Sequence, residues 1–373
     1  MRSRFKIFET KTHLNSCSYG ALSTDVREAY NSYLSDRDQY GSPWDIFTAK
    51  YEESRAQFAE LVNAHPAEIA VTASASAAVN ALASALDFSG DRNKVVVSDF
   101  EFPTVAQIWH GQERRGARVC HVPETDGRIP LERFEELIDE QTLLVSIAYV
   151  CFRNGSKLDA PAIVELAHSK GALVLLDCYQ ALGTFPIDVK ALDVDVIVGG
   201  SLKYLLSSAG LGYMYVRKEL ASALIPTMTG WFAQADIEAM DIYKNDPAPG
   251  ARRFEMGTPP IPSIYAALAG IGLVQSIGLE SIEADIRKLT GAIKAGARNA
   301  GFKLATPEDS AEHGAMIAIK AVDEAAIVEA LKGDGIITSS RDGNLRVSPH
   351  FYNELDDIDR LMQSLDKHKH LMR

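Results

Sequence analysis

Residues 173–216, LVLLDCYQALGTFPIDVKALDVDVIVGGSLKYLLSSAGLGYMYV, constrain the fold more than any other stretch of the chain. Three short apolar runs, Leu173 to Leu176, Val194 to Val198 and Gly212 to Val216, are bounded by Asp, Gly and Ser. Such runs read as strands buried on both faces, the pattern of a parallel or mixed sheet between helices. The first ends on Asp177, and the second leads through Gly199, Gly200, Ser201 and Leu202 to Lys203. Functional groups in these sheets gather at strand ends. An acid and an amine, 26 positions apart (203 − 177), are thereby placed along one sheet edge.

A lysine among Gly and Ser at a strand end is a candidate amine nucleophile. An aspartate at a neighbouring strand end can hold a protonated ring nitrogen. A pyridoxal phosphate site needs that pair. A surface lysine and a helix-capping aspartate are the plainer alternative.

The rest of the chain alternates strand and helix, which predicts an α/β large domain with helices on both faces of a mostly parallel sheet. Helix is expected over 23–63 with a break at Gly41-Ser42-Pro43, then over 130–139 and 160–170. Strands are expected at 95–97, 117–122 and 143–150. Glu68 to Asn80 passes from β-favouring residues into an Ala-rich helix through Ser and Thr, so its first turn can cradle an anion or be simply N-capped. No G-x-G-x-x-G follows the first strand, which argues against a dinucleotide fingerprint. Helices over 262–299, 323–332 and 354–368, with strands near 302–305, 314–320 and 335–338, predict a smaller α+β C-terminal domain. The expected division is an arm over 1–20, a large domain over 21–261 and a small domain over 262–373, hinged along 262–290.

The order D-x-x-Q, P-I-D-V, S-x-K-Y-L and G-x-G-x-x-Y-V resembles the fold-type I, class V aminotransferase family. That family includes cysteine desulfurases, selenocysteine lyases, kynureninases and isopenicillin N epimerases. The resemblance covers nearly the whole chain. It implies pyridoxal 5′-phosphate held as an imine on Lys203, with Asp177 at the ring nitrogen and Gln180 at the phenolic oxygen. It places Ala75, Ser76 and Ser201 at the phosphate and Phe102 on the ring face, where many desulfurases have His. The G-W and G-T-x-P motifs put Trp231 and Thr258 at a homodimer interface, Thr258 reaching the phosphate bound by the other subunit. Arg346, in N-L-R-V-S-P, matches the arginine that grips a substrate carboxylate through two parallel hydrogen bonds. Asn15, in the Leu-Asn segment of the arm, matches a residue near the substrate. Cys151 stands where many members have Asn, and Asn154 is the candidate substitute.

The substrate so implied is a small amino acid that loses its α-proton to Lys203 from an external imine, leaving a carbanion. Desulfurases with a persulfide carrier have a cysteine shortly before the final arginine motif, and residues 336–343, IITSSRDG, contain none. The expected outcome is β-elimination of a cysteine-like substrate without a carrier thiol. Transamination or epimerisation is the alternative, and a kynureninase-type hydrolysis a further one. That last comparison shares F-P-T, G-W and G-T-P-P but differs at Gln180 and Leu202. A protein that binds the cofactor without turnover is the non-enzyme alternative.

Net charge is −12 over 373 residues without a Lys/Arg block, which argues against nucleic acid or an anionic membrane as partner. No apolar stretch approaches the roughly 20 residues of a membrane span, and residues 1–15 lack a signal-peptide core. Cys17, Cys120, Cys151 and Cys178 have no metal-ligand spacing, so no metal is expected and a reduced, cytoplasmic protein is the default.

Overall fold

Successive side chains of a strand leave its backbone on opposite sides. Here both sides are buried. Val96, Val145, Val174, Leu176 and Ile197 belong to one apolar core, and their neighbours Val95, Leu144, Leu175 and Val196 to a second on the other face. That is why the runs are apolar throughout rather than alternating. The computed structural model describes residues 1–373.

Strand β1 (Thr12–His13) lies in the arm. Strands β2 (Ile69–Thr72), β3 (Lys94–Ser98), β4 (Arg118–Val122), β5 (Thr142–Ala148), β6 (Leu173–Asp177), β7 (Val196–Gly200) and β8 (Gly212–Val216) form one sheet in the order β2-β8-β7-β6-β5-β3-β4. Only β8 runs against its neighbours. The chain is thus an α/β protein of the fold-type I class, with a mainly parallel seven-stranded sheet.

Helices α1 (Thr24–Tyr40) and α2 (Trp44–Leu61) flank the break at Gly41, whose φ of 73° ends α1 in a conformation that favours glycine. Helices α3 (Ala75–Ala85), α4 (Pro103–Gly111), α5 (Leu131–Glu135), α6 (Ala160–Ser169) and α7 (Lys218–Ala223) connect the strands. The helix expected over 130–139 is only α5, because Leu137 onward turns toward Thr142, whose hydroxyl accepts from Asp139 N at 3.0 Å. The helices expected over 262–299 are helix α8 (Ile261–Ile277) and helix α9 (Leu279–Asn299), which meet at 79° at Gly278.

After α9 come β9 (Ile317–Lys320), α10 (Glu324–Gly333), β10 (Ile336–Ile337), β11 (Ser339–Arg341), β12 (Asn344–Val347) and α11 (Leu355–Lys367). Strands β11, β12 and β9 make an antiparallel sheet over a third core that includes Ile293, Ile317, Leu345 and Leu361. The strand expected at 302–305 is absent. That segment divides its hydrogen bonds, Lys303 N to Arg373 O and Ala305 N to Ala318 O, and keeps only an isolated bridge at Leu304. The arm is not a free end: β1 pairs in parallel with β10, Thr12 opposite Ile336, and Leu14 enters the third core. No single helix is long and apolar enough to cross a membrane.

Candidate active site

The carboxyl ends of β6 and β7 and the start of α3 surround a cavity of about 290 Å³, mostly apolar in its walls. Asp177, Gln180 and Lys203 line it, as do Ala75, Ser76 and Phe102. Asp177 reaches it because β6 and β7 pair in parallel with Asp177 opposite Val198, and Lys203 lies in the turn after β7.

Lys203 ends in a tight environment. Its Nζ is 4.3 Å from the centre of the Tyr179 ring and 6.0 Å from that of Phe102. Burial lowers its amine to a pKa of about 8, opposed by Cys17 and Asp177 and assisted by the charge of Arg346. An amine in that range keeps a free-base fraction of about a tenth at pH 7, far more than an ordinary lysine, and so is better suited to act as nucleophile or base near neutral pH. Asp177 is buried. Burial raises its carboxyl, while the Tyr179 N–H, donating to Oδ1 at 2.8 Å, and the Lys203 charge pull it back down.

Gln180 donates from Nε2 to Cys17 O at 3.1 Å, and its buried Oε1 has no partner. At α3, the Ser74 hydroxyl caps the helix by accepting from Ala77 N at 3.1 Å. The first-turn N–H groups of Ala75 and Ser76 have no intrahelical acceptor. Gly212 on β8 permits this turn to sit so low: a Cβ there would meet the Ser74 carbonyl carbon at 2.5 Å and Ala75 N at 2.6 Å. Phe102 stands 45% exposed at the mouth, edge-on to Phe152 with ring centres 5.1 Å apart.

Arg346, on β12, is buried at the cavity's edge. Nη1 donates to Phe152 O at 2.8 Å and Nη2 to the hydroxyls of Ser18 and Ser339 at 3.2 and 3.0 Å. Nε has no partner, and no carboxylate pairs with the guanidinium. A buried guanidinium without a counter-charge is costly unless an anion joins it. Ser18 and Phe152, its partners, also line the cavity.

Other expected residues lie elsewhere. Asn154 is a correction: its amide donates to Gly127 O at 3.0 Å and accepts from Ser156 N at 3.0 Å, so both ends serve the local turn. It is not among the residues that line the cavity. Ser201 is fully buried, and its hydroxyl donates to Ser208 O at 3.1 Å rather than lining the cavity. Asn15 forms a parallel bridge with Ser348, its Oδ1 3.9 Å from Cys17 Sγ. Trp231 packs edge-on against Trp44 at 6.2 Å, and Thr258 is exposed; neither lines this chain's own cavity.

Four contributors escape a reading of the sequence: Ser18, Ser339, Tyr179 and Glu101. The first two brace Arg346 from distant segments. Tyr179 follows Asp177 by two positions, and its ring edge occupies the space that a Cβ on Gly200 would need. Glu101 is buried beside Asp177 with only the Ser146 hydroxyl as side-chain partner, at 2.9 Å.

Pyridoxal 5′-phosphate fits these donors. Free first-turn N–H groups suit its phosphate, the orphaned Gln180 amide oxygen suits a polar ring substituent, and Asp177 and Lys203 suit its ring nitrogen and aldehyde.

Comparison with known proteins agrees. The family profile described as aminotransferase class-V matches residues 23–361. The "uncharacterized aminotransferase YcbU" of Bacillus subtilis (strain 168) is 35% identical over 357 residues, covering 96% of this chain and 94% of that protein. A "probable cysteine desulfurase" of Streptomyces coelicolor is 31% identical over 280 residues, 72% of this chain and 66% of that protein. In fold, the apo cysteine desulfurase of Thermococcus onnurineus NA1 superimposes with a TM-score of 0.89 at 22% identity, covering 99% of this chain and 98% of that one. The chain belongs to the class-V aminotransferase family, and its cofactor is pyridoxal 5′-phosphate.

Proposed function

We propose that this chain catalyses β-elimination from a cysteine-like or other β-substituted amino acid, without a thiol carrier. One observation carries the reading. Where a persulfide carrier would need a mobile cysteine, the chain has strand β11, paired in register with β12 so that Ser339 stands opposite Arg346 and accepts its hydrogen bond. That segment is tied down and has no sulfur.

In this reading Arg346 binds the substrate carboxylate through its forked N–H groups, braced by Ser18, Ser339 and Phe152 O. Lys203, with its lowered proton affinity, takes the α-proton. Asp177 keeps a negative charge against the ring nitrogen. The bound cofactor supplies an electron sink for the pair left when that proton departs. The Cα pair goes into a new Cα–Cβ double bond while the β-substituent leaves with the electrons of its own bond to Cβ and is protonated. Water completes the balance: a β-substituted alanine and water give pyruvate, ammonium and the protonated leaving group, with no net oxidation.

We further propose a homodimer with shared sites. Thr258 and Trp231 flank a loop on which Ile242 and Tyr243 are 85% and 92% exposed, an apolar surface of the kind that a partner covers. In that arrangement Thr258 reaches the partner's phosphate. The cytoplasm is the compartment consistent with four free cysteines.

The name of the Bacillus subtilis relative favours transamination as the second reading. A panel of amino acids separates the two. Elimination releases pyruvate and ammonia and returns the cofactor as aldehyde. Transamination releases a keto acid with the whole carbon skeleton and leaves the cofactor as amine.

A further inference from the structure

Behind Asp177 lies a second carboxyl that the mechanism above does not use. Glu101 follows β3 and is 6% exposed, about as buried as Asp177. Ser146 on β5 donates to its Oε1 at 2.9 Å, and its Oε2 has no partner at all. Ser146 and Ala148 share one face of β5, and Ala148 is the register partner of Asp177. Ser146 therefore holds Glu101 over the same buried face of the sheet that carries Asp177, within reach of that acid's charge.

Two ionised carboxylates cannot share such a pocket cheaply, so one proton stays with the pair. The surroundings decide where. Asp177 accepts the Tyr179 N–H and faces the Lys203 amine, which in turn senses Cys17 and Arg346. Glu101 has a neutral hydroxyl and the adjoining Phe102 backbone, and the only charge acting on it is that of Asp177. Burial, and then that charge, push its carboxyl well above the usual range.

We propose that Glu101 is a positioning acid: it holds the proton of a buried two-carboxyl seat, so that the seat's single negative charge rests on Asp177. This rests on the reading of Asp177 as the partner of the ring nitrogen. Glu101 touches neither substrate nor cofactor and acts through Asp177. Two consequences follow. Glutamine, neutral and of the same shape, replaces Glu101 without harm. When Asp177 is neutralised, Glu101 is released from the neighbouring charge, ionises more readily and becomes a reserve carboxylate.

The test begins with cofactor-free protein, so that it does not depend on the reading of the site. Infrared difference spectra against Glu101→Gln should show a protonated carboxyl stretch at neutral pH that the substitution removes. In Asp177→Asn the same signal should titrate away at lower pH than in wild type. Cofactor dissociation constants, measured by fluorescence, complete a double-substitution cycle. Glu101→Gln alone should leave affinity within about threefold, and the double variant should depart from multiplicative behaviour by about tenfold or more. A signal that is missing in wild type, unaffected by Glu101→Gln or unmoved by Asp177→Asn overturns the proposal, as does an independent cycle. Failure of the wild-type chain to bind the cofactor would instead contradict the assignment of the site, leaving the infrared result to decide the carboxyl pair.

Discussion

Asp177 and Lys203, 26 residues apart in sequence, face one cavity because Asp177 sits opposite Val198 in a parallel strand pair and Lys203 lies in the turn that follows. Each answers to the other's charge: Asp177 raises the proton affinity of Lys203, and Lys203 lowers that of Asp177. The consequences can be measured one residue at a time.

Asp177→Asn should retain the cofactor and lose turnover. The amide keeps the shape and removes the charge that, in the proposed mechanism, holds the ring nitrogen protonated. Loss of such a preorganised partner amounts to several kcal/mol, roughly a 10³-fold fall in kcat. Turnover near wild type would reject the role.

Lys203 carries a pH signature. Its folded-state value of about 8 lies below the roughly 10.4 of an exposed lysine. Between those values the unfolded chain binds the proton that the folded chain has released. The cofactor-free protein should therefore gain stability as pH rises through that window, and the burial penalty on the charged amine is greatest below it. Denaturant melts of wild type and Lys203→Met from pH 7 upward check this. The methionine variant should lack the component, and identical pH dependence in both would refute it.

Arg346→Lys keeps a positive charge and loses the planar fork. Removing one charged hydrogen bond of that kind should weaken substrate binding about 10- to 100-fold with cofactor affinity unchanged. Substrate titrations and cofactor titrations on the same variant separate the two effects. An equal loss of cofactor would place Arg346 elsewhere.

Thr258 tests the shared-site dimer. Thr258→Val should weaken cofactor retention by about 1 to 3 kcal/mol, the cost of a charged acceptor without its donor. Mixing Lys203→Ala chains with Thr258→Val chains should restore activity in heterodimers, since both lesions fall in one site and the other is intact. If Thr258 serves its own chain's site, mixing restores nothing.

Much of this arrangement is legible in the amino-acid sequence. Strands buried on both faces leave an unbroken apolar run, so the ends of β6 and β7, and with them Asp177 and Lys203, can be placed from the residues alone. The small first-turn residues at Ala75 and Ser76 are legible for a similar local reason. What escapes depends on long-range partners. Ser18 and Ser339 are ordinary hydroxyls until the arm and β11 meet at Arg346. The arm's own strand is two residues long and exists only through β10. Asn154 looks available because its sequence neighbours do not reveal that Gly127 and Ser156 already occupy its amide.

The assignment of Lys203 as the covalent anchor supports everything built on the cavity, and borohydride reduction of the cofactor-loaded protein followed by peptide mass mapping tests it most directly. Reduction fixes the cofactor to whichever amine holds it. The geometry predicts the added mass on the peptide containing Lys203 and its loss in Lys203→Ala. Label on any other lysine, or a Lys203→Ala protein that still carries the cofactor covalently after dialysis and reduction, would contradict the site.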